Sequence, residues 1–300
     1  MESSTSHSTT TRLAWSQLPT VAAAVDIWDT PSSQGHIKLL KIVFLNGQLG
    51  PNEQQQTETQ PHQALLDPTG RFWAVPSRVT DTVSILDSSD DSFRIVTSFK
   101  APIPGSGPHH AVFVKNDAGT KATHIVVLCE LKNLLEVFAV DYRDDILAFS
   151  HIQRCKDVAR SPLPADKLKL YQNKHFLGAP SAIVIATNQR DIYVSNRFDS
   201  TEEDNISRFE VKRHPTRKTR LRYRESVSSR GIGLRMLSLS KDEKVMFGCN
   251  ENSGRGILAH SRGDDRKLSL IPGSEVDIMK LGGPAAEIMG EMGSPCIIEI

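Results

Sequence analysis

PHQALLDPTGRFWAVPSRVTDTVSILD, residues 61–87, contains the pattern that decides the fold. Ala64-Leu65-Leu66 and Phe72-Trp73-Ala74-Val75 are short apolar runs separated by Asp67-Pro68-Thr69-Gly70, a turn sequence with a side-chain acceptor, a fixed φ and a glycine in order. Asp81 to Asp87 then alternates polar and apolar residues, as a strand with two different faces does. The three segments form an antiparallel meander.

The same arrangement recurs three times. Ala111–Val114, the turn Lys115–Gly119, His124–Glu130 and Leu135–Asp141 make the second copy. Ala182–Ile185, the turn Asn188–Asp191, Ile192–Arg197 and Asn205–Phe209 make the third. Arg235–Leu239, the turn Lys241–Glu243, Lys244–Asn250 and Gly256–His260 make the fourth. Aligning the copies puts Arg78, Glu130, Arg197 and Glu251 in one column, at intervals of 52, 67 and 54 residues. A strand-rich repeat of about 50 residues is the signature of β-propeller blades, which bury their faces by stacking around a shared axis. The fold expected is therefore all-β. The longer interval between the second and third copies, with Pro162, Pro164, Pro180 and a short helical pattern at Ala165–Tyr171, is read as an insertion on one rim.

Composition narrows the function. In 300 residues, 36 Lys plus Arg face 35 Asp plus Glu, for a net charge of +1. Such a balance gives no whole-molecule field for nucleic acid or an anionic membrane, so the expected partner is a small molecule. No segment is apolar enough to span a bilayer, and the Ser/Thr-rich start lacks the core of a secretory signal. Cys129, Cys155, Cys249 and Cys296 are scattered without ligand spacing, which argues against disulfides or structural zinc and for a cytoplasmic location. The motifs G-x-S-x-G, G-x-x-x-x-G-K-[ST] and H-E-x-x-H are all missing from the sequence, so neither a nucleotide, a serine elbow nor a cofactor is expected.

The phrases PHQALLDPTGRF (61–72), GSGPHHAVF (105–113), CELKNLLEVF (129–138), DIYVSNR (191–197) and LRMLSLSKDE (234–243) resemble the seven-bladed propeller lactonase family. That family includes propeller-type 6-phosphogluconolactonases and fungal carboxy-cis,cis-muconate cyclases. The resemblance extends from about Val25, where VDIWD (25–29) is similar to an outer strand of an early blade. It implies a flexible segment over 1–20 and a propeller over 21–300, short at its start and holding about five blades or partial blades. Gly293–Ile300 is read as the closing segment.

The resemblance also implies a metal-free site of His, Glu and Arg. Carried over position by position, the catalytic candidates are His62, His110, Glu130 and Arg197, with His109, Arg235 and Glu251 as substrate-binding candidates. Opening a lactone needs a base for water and a donor for the oxyanion; closing one onto a muconate needs carboxylate recognition and proton delivery to carbon. Glu130 is the expected proton carrier, with His62 or His110 as its partner, and Arg197 the expected anion-binding fork. Three positions depart from the family pattern: Gln60 replaces a histidine, His109 an arginine and Ala182 an acidic residue. The expected function is a metal-independent lactonase or lactone-forming cyclase acting on a carboxylated or phosphorylated lactone. The alternative is a degenerate propeller serving as a binding scaffold, in which the Arg/Glu alternation is a structural ring of ion pairs. The basic strip Lys212–Arg224 is read as a solvated outer strand and loop rather than a nucleic-acid surface, partly offset by Glu202-Glu203-Asp204.

Overall fold

The computed structural model describes residues 23–29, 37–45, 47–57, 61–156, 158, 178–197, 203–213, 219–251 and 255–277. All regular structure among them is β-strand, gathered in five antiparallel sheets. The first is a pair, β1 (Ala23–Asp29) and β2 (Lys38–Leu45). The second holds β3 (Leu65–Leu66), β4 (Phe72–Ser77), β5 (Thr82–Asp87) and β6 (Ile95–Lys100). The third holds β7 (Pro108–Lys115), β8 (Ala122–Cys129), β9 (Leu134–Arg143) and β10 (Ile146–Lys156). The fourth holds β11 (Ala179–Ile185), β12 (Asp191–Arg197), β13 (Asn205–Lys212) and β14 (Arg220–Ser228). The fifth holds β15 (Leu234–Leu239), β16 (Val245–Asn250), β17 (Arg255–Arg262) and a short β18 (Leu268–Leu270), with β19 (Val276–Asp277) pairing the part of β17 that β18 leaves free.

Spatial order follows chain order within each sheet, so these are the blades of a propeller, one partial and four full. The sequence repeat captures the first three strands of each full blade; the structure adds the fourth, outer strands β6, β10 and β18. First strands of successive blades adjoin, β7 with β11 and β11 with β15, while outer strands touch at β6 with β10 and β10 with β14. First strands therefore line the axis.

Local chemistry explains the meanders. The Asp67 carboxylate accepts from the amides of Thr69 (3.1 Å), Arg71 (3.0 Å) and Phe72 (2.8 Å), closing the Asp-Pro-Thr-Gly turn. Gly70 takes the left-handed φ of 76° there, and Gly119, Gln189 and Glu243 take the same region at the matching turns of the later blades. Strand residues then alternate between two interfaces. Along β8, Ile125 and Val127 pack toward the second blade with Val83 and Ile85, whereas Val126 and Leu128 pack toward the fourth with Ile192 and Val194. Both faces of a middle blade are buried, which is why its strands are nearly continuous apolar runs. Val25, Ile27, Val43 and Leu45 join the partial blade to Val75, Leu86 and Phe93, while Leu40, Ile42 and Phe44 of β2 face solvent.

Aspartates latch one blade to the next. Buried Asp81 accepts from the amides of Gly105 (2.5 Å) and Gly107 (2.9 Å) at the entry to β7, and buried Asp204 accepts from Gly233 (2.5 Å) and Leu234 (3.0 Å) at the entry to β15.

The basic strip is an outer strand as expected, with Arg220 and Arg222 exposed on β14. Its neutralising partners differ from those anticipated. Glu210 pairs with Lys212 (2.7 Å) and Arg224, and Asp117 pairs with Arg213. Glu203 instead accepts from Ser228 Oγ, and Asp204 is spent on its latch, because both precede the start of β13, whereas Arg220 and Arg222 pair with the far end of that strand. Glu202, Gln60, the Ala165–Tyr171 pattern with most of its insertion, the closing Gly293–Ile300 and the division at 20/21 lie outside the described residues.

Candidate functional site

Each axial strand carries one extra residue at the same place. Pro108 pairs with Cys129 but His110 with Leu128, which bulges out His109. The register shifts likewise between Pro180 and Ile183, and between Leu234 and Met236. In the second blade Pro61 bridges Ser77 while Leu65 pairs with Ala74, leaving one residue over in the interval that holds His62. A bulge bends a strand and re-aims its side chains. One axial column therefore consists of His62, His109, Ser181 and Arg235.

The second column is the one the repeat predicts, Arg78, Glu130, Arg197 and Glu251, at the ends of the second strands. Its backbone is tied to the first: the Glu130 amide donates to the Gly107 carbonyl (2.9 Å) and the Glu251 amide to that of Gly233 (2.9 Å). Gly107 has a φ of 65°, and a β-carbon there would come within 2.6 Å of Leu131 and 3.1 Å of Arg78. Only glycine permits this approach.

Charges alternate from blade to blade. Arg78 Nη1 lies 3.6 Å from Glu130 Oε2, Arg197 Nη2 donates to Glu130 Oε1, Arg197 Nη1 lies 3.9 Å from Glu251 Oε2, and Arg235 Nε lies 3.5 Å from Glu251 Oε1. The Glu130–Arg197 end is sealed, with side chains 4% and 8% exposed; the Glu251–Arg235 end is open, at 23% and 31%.

Three imidazoles sit beside this chain. His62 and His109 lie tilted against each other with centroids 4.1 Å apart, and His109 meets His110 edge-on at 4.4 Å. The Nδ1 atoms of His109 and His110 both reach the Ser181 carbonyl oxygen. Burial, aided by Arg78, pushes His62 down to about 3. Burial also lowers His110 to about 4 against the opposing pull of the Ser181 carbonyl, and holds His109 well below the ordinary range. All three are neutral at pH 7. Arg78 Nε, His109 Nε2 and Ser181 Oγ are buried with no hydrogen-bond partner among the described residues, so the site offers donors and acceptors that the protein itself does not consume.

All seven residues anticipated from sequence converge here. Two that were not singled out as site residues join them: Arg78, and Ser181, which contributes a main-chain carbonyl that no side-chain motif reveals. The signal that could have found Ser181 is the proline that precedes it, as Pro61 and Pro108 precede His62 and His109. Ala182 turns away into the core, its amide donating to Ser195 Oγ at 2.7 Å.

A family model described as "Lactonase, 7-bladed beta-propeller" matches residues 21–276. The chain is 30% identical over 146 residues to an Arthroderma benhamiae protein named "Probable 6-phosphogluconolactonase", covering 48% of this chain and 33% of that one. The structure of the periplasmic gluconolactonase PpgL of Pseudomonas aeruginosa superposes with a TM-score of 0.64 at 19% identity, covering 88% of this chain and 68% of PpgL. A Lactobacillus plantarum protein gives a TM-score of 0.64 at 21% identity, covering 83% and 64%. The chain thus spans a third of the length of the curated relative and about two thirds of these structures.

Proposed function

The chain belongs to the seven-bladed β-propeller lactonase family, and from that premise we propose that its axial site opens the ring of a small anionic lactone by metal-independent hydrolysis. The observation that carries this reading is the composition of the site: three guanidinium groups, Arg78, Arg197 and Arg235, against two carboxylates, Glu130 and Glu251, beside imidazoles held neutral. The cationic excess suits a substrate carboxylate or phosphate, and Arg235, at the open end, is the fork that meets it. Neutral imidazoles accept a proton from water without first having to lose one. Arg197 is reassigned from anion binding to holding Glu130, since its guanidinium is committed on both sides. Of the substrate classes expected from sequence, a phosphorylated aldonolactone has the support of the curated relative's name, and ring closure onto a muconate is the second arm of the test. The partner is a small molecule and the compartment the cytoplasm, the latter resting on the scattered cysteines.

The same ion-pair chain favours a second reading, in which Arg and Glu satisfy one another across blades and the propeller is a binding scaffold. Base uptake in a pH-stat, with a phosphorylated aldonolactone and a carboxylated muconolactone supplied separately, separates the two. Hydrolysis above the buffer rate that disappears in His110→Ala supports the enzyme; no turnover of either, with a folded protein, supports the scaffold.

A further inference from the structure

His109 and His110 are adjacent in sequence and share one acceptor. The Ser181 carbonyl oxygen lies 2.9 Å from His109 Nδ1 and within hydrogen-bond reach of His110 Nδ1, and the two Nδ1 atoms are 2.8 Å apart. Two nitrogens so close cannot both carry hydrogens aimed at one oxygen, because the hydrogens would clash. Nor can both be bare, because their lone pairs would oppose each other and the carbonyl. One proton therefore serves both Nδ1 atoms. The Glu130 carboxylate decides its place: a hydrogen on His109 Nε2 faces Glu130 Oε2, so the shared proton sits on His110, donating to Ser181 and shared with His109 Nδ1. A neutral His109 must then carry its own proton on Nε2. That atom is buried, has no hydrogen-bond partner among the described residues, and stands 3.8 Å from Glu130 Oε2, a carboxylate that favours a hydrogen facing it.

We propose that His109 and His110 form a neutral acid–base pair of opposite tautomers set by the Ser181 carbonyl, with His109 Nε2–H as the donor and bare His110 Nε2 as the acceptor. Burial and the nearby Arg197 and Arg235 guanidiniums oppose an imidazolium at either position, consistent with a pair that stays uncharged. The arrangement arises from the bulge at His109, at a position where the family pattern has arginine.

The catalytic consequence rests on the lactone reading above. As the water oxygen bonds to the ring carbonyl carbon, its proton passes to His110 Nε2. His110 gives its Nδ1 proton to His109 Nδ1 across the 2.8 Å contact. His109 releases its Nε2 proton to the ring oxygen as the acyl–oxygen bond breaks. One water is consumed, one acid and one alcohol form, and the pair ends neutral with its tautomers exchanged, to be reset through solvent. An Arg in place of His109 could bind an anion but could not relay this proton.

The test is a long-range proton–nitrogen correlation spectrum of the full chain labelled with 15N-histidine, at pH 7. His109→Gln and His110→Asn each keep an amide at the matching nitrogen and identify the two residues by difference; either one alone suffices if the other does not fold. The expected result is a protonated Nδ1 and bare Nε2 for His110 and the reverse for His109. Identical tautomers at both positions would overturn the proposal. So would a doubly protonated His110 donating to Ser181 and to the nearby His62 carbonyl together. Because this readout requires no turnover, it stands or falls separately from the lactone reading.

Discussion

The Arg197 guanidinium donates to the Glu130 carboxylate of the preceding blade, 67 residues earlier in the chain. With Arg78 on the other side of Glu130 and Glu251 beyond Arg197, the contact makes the axial site part of what joins the blades. Catalytic and structural demands fall on the same side chains, and their substitutions should separate accordingly.

Glu130→Gln leaves the buried Arg197 guanidinium, and the partly buried Arg78 beside it, without their shared countercharge and should destabilise the protein by roughly 3–5 kcal/mol. Combined with Arg197→Gln in a double-mutant cycle followed by urea denaturation, the pair should show a coupling of about 1–3 kcal/mol. Additive single effects would mean that the contact contributes nothing between blades.

Arg235 is expected to behave differently. Its side chain is 31% exposed and approaches Glu251 at 3.5 Å, so Arg235→Ala should cost less than about 1 kcal/mol of stability. Its loss should be read in steady-state kinetics as a KM increase of about tenfold or more, on the order of 1.4 kcal/mol of binding. A variant with normal KM would remove Arg235 from the substrate.

Acid should loosen the axis before it protonates most carboxylates. His62 and His110 fall from the ordinary 6.5 to about 3 and about 4 on folding, and His109, His124 and His260 shift the same way. Between those values and 6.5 the unfolded chain binds more protons, so stability is full above about pH 6.5 and declines as the pH falls. Each such imidazole contributes a slope of about 1.4 kcal/mol per pH unit within its window. Denaturation midpoints at pH 7, 6 and 5 check this, and a flat profile would show the imidazoles to be solvated.

The latches make a matched pair of tests. Asp81→Ala and Asp204→Ala each orphan two amides at the entry to the following blade and should each cost about 2–4 kcal/mol. Calorimetry should register a lowered Tm, and native-state hydrogen exchange should place the loosening at Gly105–Gly107 in one variant and Gly233–Leu234 in the other.

Much of this was legible because a propeller writes its geometry as a repeat. The Asp67 and Asn116 turns, the two-faced strands and the Arg78–Glu251 column each recur at a fixed place in the blade, so alignment of the chain with itself exposes them. The outer strands β6 and β18 carry weaker patterns, because one side of an outer strand meets solvent and does not require apolar residues. Ser181 escaped because its contribution is a carbonyl freed by a bulge, and Asp81 and Asp204 because an aspartate before a strand looks like ordinary turn chemistry. The basic strip shows the converse error: sequence proximity suggested Glu203 and Asp204 as its countercharges, whereas strand pairing supplied Glu210.

The most direct test of the central claim is the kcat/KM for opening a phosphorylated aldonolactone, measured on the purified 300-residue chain and on Arg235→Ala and His110→Ala made in it. The account predicts turnover well above buffer, a loss carried mainly by KM in Arg235→Ala and mainly by kcat in His110→Ala. Turnover that survives both substitutions, or a folded protein that opens neither this lactone nor a carboxylated muconolactone, would contradict it.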